Sequence, residues 1–166
     1  MVLGYRGARE GGMGVKKPCV YEACVLTDTK LIGCTVEKIE CFLEQHIILA
    51  EEDFFDVKVI LNELLMNAMT HGNKQHKNKK VYIKVDISEK NQIYIIIEDE
   101  GEGMKDDCAS WRDNNFSQTP QWDIVNLKES GRGLGIISCL CDSITRNEKG
   151  NKITVLKRIQ NEHNSV

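Results

Sequence analysis

The stretch NELLMNAMTHGN, residues 62–73, decides how this chain is interpreted. It carries Glu63, Asn67 and His71 at intervals of four residues, a spacing that puts their side chains on one side of an α-helix. The apolar residues of the stretch fall on the remaining faces. A polar stripe of this kind is common on the solvated face of an amphipathic helix, so other motifs must decide whether it marks a site.

A second polar motif, EDEGEGM at residues 98–104, follows directly after a strongly apolar segment. It holds Asp99, Gly101 and Gly103 at alternate positions. A carboxylate at the end of a strand can accept hydrogen bonds, and neighbouring glycines let the backbone approach a flat ligand closely. Acidic, glycine-rich turns also end many strands that bind nothing, so this motif indicates a binding site only in combination with others.

A third motif, SGRGLG at residues 130–135, places glycines where a loop enters a helix. Backbone N–H groups at a helix N-terminus attract anions, and glycines let phosphate groups reach them. The motif is not the dinucleotide-binding fingerprint, because a long loop rather than a strand precedes it and the acidic residue downstream is missing. Taken alone, this glycine motif is only weak support for a phosphate-binding loop.

Hydrophobic periodicity predicts the order of helices and strands. The predicted strands are 20–26, 79–88, 91–100 and 152–159, and the predicted helices lie within 27–52, from Asp53 to about residue 72, and from the glycines at 131–135 to Ile144. The strand at 91–100 is apolar at nearly every position from 93 to 97, which predicts a central strand. Residues 104–130 show no periodicity, and a segment of that length is typically a lid or a binding loop.

Composition excludes several classes of protein. A net charge of −3 and an isoelectric point near 5.8 provide no positive field to attract nucleic acid or anionic lipid. The longest apolar runs fall well short of the roughly 20 residues that a membrane-spanning helix needs. The first residues also lack the apolar core of a secretory signal. We therefore expect a cytoplasmic protein with no direct nucleic-acid contact and no membrane contact.

The cysteines predict neither a disulfide framework nor a metal site. There are seven of them, an odd number, at scattered spacings and without a C-x-x-C pair. Cys139 and Cys141 form the one close pair, and on a helix their side chains face different directions. We expect reduced thiols that mainly fill space in the core.

The three motifs together resemble the ATP-binding domain shared by gyrase, Hsp90, histidine kinases and MutL, the histidine-kinase-like ATPase (GHKL) superfamily. The resemblance covers roughly residues 20–160. It implies an α+β fold, a two-layer α/β sandwich in which helices cover one face of a mixed sheet. It places the ATP-binding domain at 19–160. Residues 1–18 hold five glycines and Pro18, a composition that predicts a flexible N-terminal arm, and residues 161–166 are expected to form a polar tail.

Within this superfamily, NELLMNAMTHGN followed by ESGRGLGI most resembles the bacterial anti-sigma factor serine/threonine-protein kinases. Sensor histidine kinases are similar in the same motifs. They normally carry a helical hairpin with a phosphoacceptor histidine ahead of this domain, and only one helix fits between residues 27 and 52. A detached histidine-kinase-like catalytic domain is therefore the less favoured alternative.

The resemblance implies ATP and Mg²⁺ as cofactors and assigns roles by position. Asn67 would bind the Mg²⁺ that bridges the phosphates, and Asp99 would accept a hydrogen bond from the adenine amino group. Gly101 and Gly103 would shape the pocket for the base. Glu63 matches the residue that accepts the proton of the attacking hydroxyl.

The lid motif would hold the phosphates through Gly131, Arg132, Gly133, Leu134 and Gly135. Some of these kinases place an arginine just before the lid glycines. This chain has Glu129 and Ser130 there, and Lys128 or Arg132 would have to replace that arginine. The departure bears on catalysis rather than on nucleotide binding.

The resemblance further implies a homodimer that sequesters a sigma factor and phosphorylates a serine on a small anti-anti-sigma protein of the STAS type. Because the arginine is missing, the alternative function is a non-catalytic switch module that binds ATP and a partner but transfers no phosphate. Glu63 favours the kinase over this alternative.

Overall fold

A computed structural model describes residues 19–88, 90–103 and 132–159. The predicted arm at 1–18, the predicted lid at 104–130 and the tail at 161–166 lie outside the described residues. In chain order the elements are β1 (Cys19–Leu26), α1 (Ile32–His46), α2 (Glu51–Asn67), β2 (Lys80–Ser88), β3 (Gln92–Asp99), α3 (Arg132–Leu140), β4 (Ser143–Arg146) and β5 (Lys152–Arg158).

The strands form one five-stranded sheet in the order β1-β2-β3-β5-β4. The predicted α+β fold and the central position of β3 are confirmed. The expected mixed sheet is wrong, because all four described strand pairings are antiparallel. Short turns join β2 to β3 and β4 to β5, and a short turn makes the two strands that it joins antiparallel.

Helices α1 and α2 cover one face of the sheet. Alternate residues of each strand point toward them, and in β2 these are Val81, Ile83 and Val85, all buried. In α1 the residues Ile32, Val36, Ile39 and Leu43 recur at helical spacing, and all four are buried. This core fixes how the ends of α2 and β3 lie relative to each other.

The first helix is shorter than predicted and the last one ends early. The first stops at His46, because Ile47 adopts an extended conformation with φ −147°, so Ala50 belongs to the connection before α2. The last stops at Leu140, and Ser143–Arg146 pair with β5 as strand β4. Ile144 and Thr145 are β-branched residues that favour a strand, and an edge strand of four residues has too few residues to show a clear period.

None of the helices in the described part of the chain is long and apolar enough to cross a membrane. Within the same residues the six cysteines are unpaired, and no three His, Cys, Asp or Glu side chains cluster as metal ligands would.

Candidate functional site

A cavity of about 270 Å³ lies where α2, β3, α3 and the turn before β5 meet. Its lining includes Asn67 and His71 from the first motif, Asp99 and Gly103 from the second, and Leu134 from the third. The volume is close to the lower end of the range for small-molecule sites. The fold thus gathers residues from all three motifs around one space, although they lie far apart in sequence.

The polar stripe of the first motif does not continue as a regular α-helix. Asn67 is the last residue of α2, and Ala68–Gly72 form a π-helical turn, closed by a hydrogen bond of 2.8 Å from the Asn73 N–H to the Ala68 carbonyl. A π-turn is wider than an α-turn and is frequent at functional sites. Here it leaves Asn67 and His71 on the cavity wall and brings Gly72 against β3.

Gly72, Asp99 and Gly101 pack against one another at the floor of the cavity. A Cβ atom at Gly72 would collide with the Asp99 carboxylate, and a Cβ atom at Gly101 would collide with the Gly72 carbonyl. Only glycine fits at these two positions. Gly103 adopts φ +81°, and a Cβ atom there would collide with the Lys149 carbonyl. The glycines of the second motif are therefore required by close backbone contacts.

Asp99 is held in place by the glycine that follows it. The Gly101 N–H donates a hydrogen bond of 2.7 Å to Asp99 Oδ1, and within the described residues no hydrogen bond reaches Oδ2. Burial raises the pKa of the Asp99 carboxyl, while the Gly101 hydrogen bond and the charge of Lys149 lower it in part. The result is a partly desolvated acceptor that can take a hydrogen bond from a ligand.

The third motif meets the first at Gly133, near the start of α3. A Cβ atom at Gly133 would collide with Glu63 Oε2 and would lie 3.5 Å from Asn67 Nδ2. The absence of a side chain thus lets α3 approach the polar stripe of α2. Leu134 lines the cavity, and the buried Gly135 accepts a hydrogen bond of 2.7 Å from Ser138 Oγ. Gly131 and the side chain of Arg132 lie outside the described residues.

The sequence analysis missed Asn151, which lies in the turn before β5 and holds Asp99 through two hydrogen bonds. Asn151 Nδ2 donates to the Asp99 carbonyl at 2.7 Å, and the Asp99 N–H donates to the Asn151 carbonyl at 2.9 Å. Asn147 Oδ1 in turn accepts from the N–H groups of Gly150, Asn151 and Lys152. An asparagine-rich turn before a strand is the signal that could have drawn attention to this support.

A further residue that the sequence analysis missed is Asn73. Its side chain is fully buried and forms hydrogen bonds with Thr27, Lys80 and Glu100. The sequence offered one signal, an asparagine directly after the His71–Gly72 pair at a helix end. Asparagine is common at such ends, so this signal alone did not indicate a role.

Residues 29–157 match the family model described as the histidine kinase-like ATPase domain. The chain belongs to this family. The resemblance to the histidine-kinase-like ATPase superfamily is therefore confirmed.

Relatives with this domain include an anti-sigma F factor from Oceanobacillus iheyensis, 30% identical over 111 residues, which are 65% of this chain and 71% of that protein. The serine-protein kinase RsbW from Bacillus subtilis is 27% identical over 112 residues, 67% of this chain and 68% of the kinase. The chain is thus similar both to anti-sigma factors and to a protein kinase.

Among solved structures, a blue-light activated histidine kinase from Erythrobacter litoralis matches with a TM-score of 0.50 and 16% identity. The match covers 77% of this chain but 42% of that chain. At this identity the likeness concerns the fold of the histidine kinase-like ATPase domain.

Proposed function

We propose that this chain is an ATP-dependent protein-serine kinase and anti-sigma factor. It would phosphorylate a serine of a small anti-anti-sigma partner and sequester a sigma factor in the cytoplasm. The observation that carries the proposal is the single cavity lined by Asn67, Asp99 and Leu134, in a chain whose relatives include anti-sigma F factors and a serine-protein kinase.

The residues of the cavity fit a nucleotide with its metal. Asp99 has a carboxylate oxygen without a hydrogen bond from the described residues, which suits the amino group of adenine. The Asn67 carboxamide provides an oxygen ligand for a hard cation such as Mg²⁺. Gly133 has no side chain and brings the start of α3 next to Glu63 and Asn67, and N–H groups at the start of a helix attract phosphate groups. When bound, Mg²⁺ supplies positive charge that offsets the negative charge developing on the phosphates.

Glu63 is the proposed general base. It lies one helical turn before Asn67, and its Oε2 atom faces the backbone at Gly133. In the proposed step the serine oxygen attacks the γ-phosphorus and its proton passes to Glu63. The bond from the γ-phosphorus to the bridging oxygen breaks, and ADP leaves. Because positioning and charge dominate phosphoryl transfer, Asn67 is expected to affect both binding and transfer, whereas Glu63 affects transfer alone.

The proposal includes a homodimer as the form that binds the sigma factor. Relatives named anti-sigma F factor support the choice of partner. The test is to measure the mass of the purified chain and of its mixture with the sigma factor by light scattering. A dimer that takes up the sigma factor in the presence of Mg-ATP is the expected result.

The kinase is tested by incubating the chain with labelled Mg-ATP and the anti-anti-sigma partner. Wild type is expected to label a partner serine. Glu63→Gln should bind ATP normally but lose transfer about 100-fold or more, as expected for removal of a general base. Asn67→Ala should lose the dependence of ATP affinity on Mg²⁺.

Two matched variants serve as controls. Glu37→Gln changes an exposed glutamate of α1, and Asn62→Ala removes an asparagine of α2 whose side chain bonds only to the Lys58 carbonyl among the described residues. Both should behave as wild type. Tight nucleotide binding by wild type without labelling of the partner would instead favour the non-catalytic ATP-binding switch module.

A further inference from the structure

Asn73 is a buried polar residue that the proposed mechanism does not use. Its side chain is 0% exposed, and burying an amide is unfavourable unless its hydrogen bonds are made. Asn73 Nδ2 donates to Thr27 Oγ1 at 2.9 Å and to the Lys80 carbonyl at 2.8 Å. Asn73 Oδ1 accepts from the Glu100 N–H at 2.9 Å. Both polar atoms of the carboxamide are thus satisfied.

These bonds join four separate parts of the chain. Thr27 follows β1, Lys80 begins β2 and Glu100 follows β3. The backbone N–H of Asn73 closes the π-turn by donating to Ala68. One side chain therefore ties three strand ends to the turn that follows Asn67.

The two ends of this connection lie next to the two groups that would hold the nucleotide. Ala68 directly follows Asn67, and Glu100 directly follows Asp99. Gly72, the neighbour of Asn73, packs against the Asp99 carboxylate. A shift of the turn relative to β3 would therefore change the separation of Asn67 and Asp99.

We propose that Asn73 is a positioning residue that sets the Asp99 carboxylate relative to Asn67 and so determines selectivity for adenine. The inference rests on the proposed function, since it assigns the base to Asp99. A carboxylate in the correct place accepts a hydrogen bond from the amino group of adenine, whereas guanine presents a carbonyl oxygen at the same position of the ring. Misplacement of Asp99 removes this distinction.

The test measures the affinities for ATP and GTP of wild type, Asn73→Ala and Asn73→Asp by calorimetry, at a temperature where each is folded. Asn73→Ala leaves the Lys80 carbonyl and the Glu100 N–H without a partner. It should weaken ATP binding roughly 10-fold, by analogy with the loss of a hydrogen bond that orients a metal-binding side chain, and lower the ratio of ATP to GTP affinity.

Asn73→Asp keeps the size of the side chain and the acceptor for the Glu100 N–H, but it puts a buried carboxyl oxygen against the Lys80 carbonyl, so it should also lower the ratio of ATP to GTP affinity. If Asn73→Ala does not fold, the ratio of ATP to GTP affinity of Asn73→Asp alone tests the inference. Val36→Ala is the control, because Val36 is buried in α1 and does not line the cavity. It should reduce stability while leaving the ratio of ATP to GTP affinity unchanged.

The inference is overturned if the Asn73 variants keep the wild-type ratio, or change it no more than Val36→Ala does. Failure of wild type itself to bind ATP would count against the proposed function as well. The two failures are distinguishable. An unchanged ratio in the Asn73 variants counts against the role of Asn73 only when wild type binds ATP and prefers it to GTP, whereas the proposed function fails when wild type does not bind ATP.

Discussion

Gly72 and Gly101 pack backbone against backbone below the Asp99 carboxylate. The carbonyl oxygen of Gly72 occupies the space that a Cβ atom at Gly101 would need. The turn after α2 and the loop after β3 are therefore in direct contact, with no side chain between them.

Gly101→Ala is expected to lower the free energy of unfolding by about 3 kcal/mol, because the added methyl group overlaps backbone that cannot move without disturbing Asp99. Urea unfolding measures the loss. Gly33→Ala is the matched control, since a Cβ atom at Gly33 in α1 meets nothing within 4 Å. It should stabilise the protein by up to about 1 kcal/mol, as alanine is the better helix former. Equal effects of the two substitutions would contradict the close packing.

The affinity for ATP is expected to rise with pH as Asp99 loses its proton. Burial raises the pKa of Asp99 above its ordinary value, and only the ionised carboxylate has both oxygens free of protons to accept hydrogen bonds. Binding measured from pH 4 to pH 7 should therefore strengthen through the raised pKa. In Asp99→Asn the affinity should be weak, and this pH dependence should be absent.

Asp99→Asn is also expected to leave the empty protein at least as stable as wild type at pH 7. A carboxyl whose folded pKa is raised contributes stability below its unfolded pKa, and this contribution is lost as pH rises through the folded pKa. At neutral pH the ionised Asp99 therefore lowers the stability of the folded protein. The neutral amide of asparagine avoids this loss and still accepts the hydrogen bond from the Gly101 N–H. Thermal unfolding without nucleotide checks this, and a clear fall in melting temperature would contradict it.

Cys139 is expected to react with iodoacetamide well before Cys141. Cys139 is exposed, whereas burial of the Cys141 thiol, aided by the charge of Asp142, raises its pKa to about 11. Since the thiolate is the nucleophile, little of it forms at Cys141 at pH 8. Peptide mass spectrometry after timed labelling distinguishes the two sites. In urea both should react at similar rates.

Lys157→Met is expected to destabilise the fold by about 3 kcal/mol, because removing one partner leaves buried charge uncompensated. Lys157 Nζ lies 3.0 Å from Asp53 Oδ1 and 2.7 Å from Asp56 Oδ2, and its side chain is 11% exposed. Urea unfolding at pH 7 checks the loss. The matched control is Lys84→Met, whose partner Asp86 is 3.7 Å away on the open face of the sheet, and exposed pairs of this kind contribute little.

The sequence predicted the parts of the fold that depend on long, regular patterns. Alternation in β2 and the apolar run of β3 are properties of neighbouring residues, so they were visible without the structure. The glycine and carboxylate motifs were visible for the same reason. The short edge strand β4 has too few residues to show a period, and it was missed.

The supports of the candidate site could not be predicted, because they depend on contacts between distant residues. In the sequence Asn73 is only an asparagine at the end of a helix, and its contacts with Thr27 and Glu100 become visible only in the fold. The π-turn is also invisible in sequence, since Ala68–Gly72 continue the spacing of an α-helix. The requirement for glycine at Gly72 arises only when Asp99 packs against it.

Because the Asp99 carboxylate is partly desolvated, its ionised form lowers the stability of the protein when no ligand is bound. Any small molecule that donates a hydrogen bond there shifts the population toward the folded state by mass action, and proteases act on the fraction that opens. The lifetime of the protein in a cell would then follow the supply of its nucleotide, independently of any phosphate that it transfers.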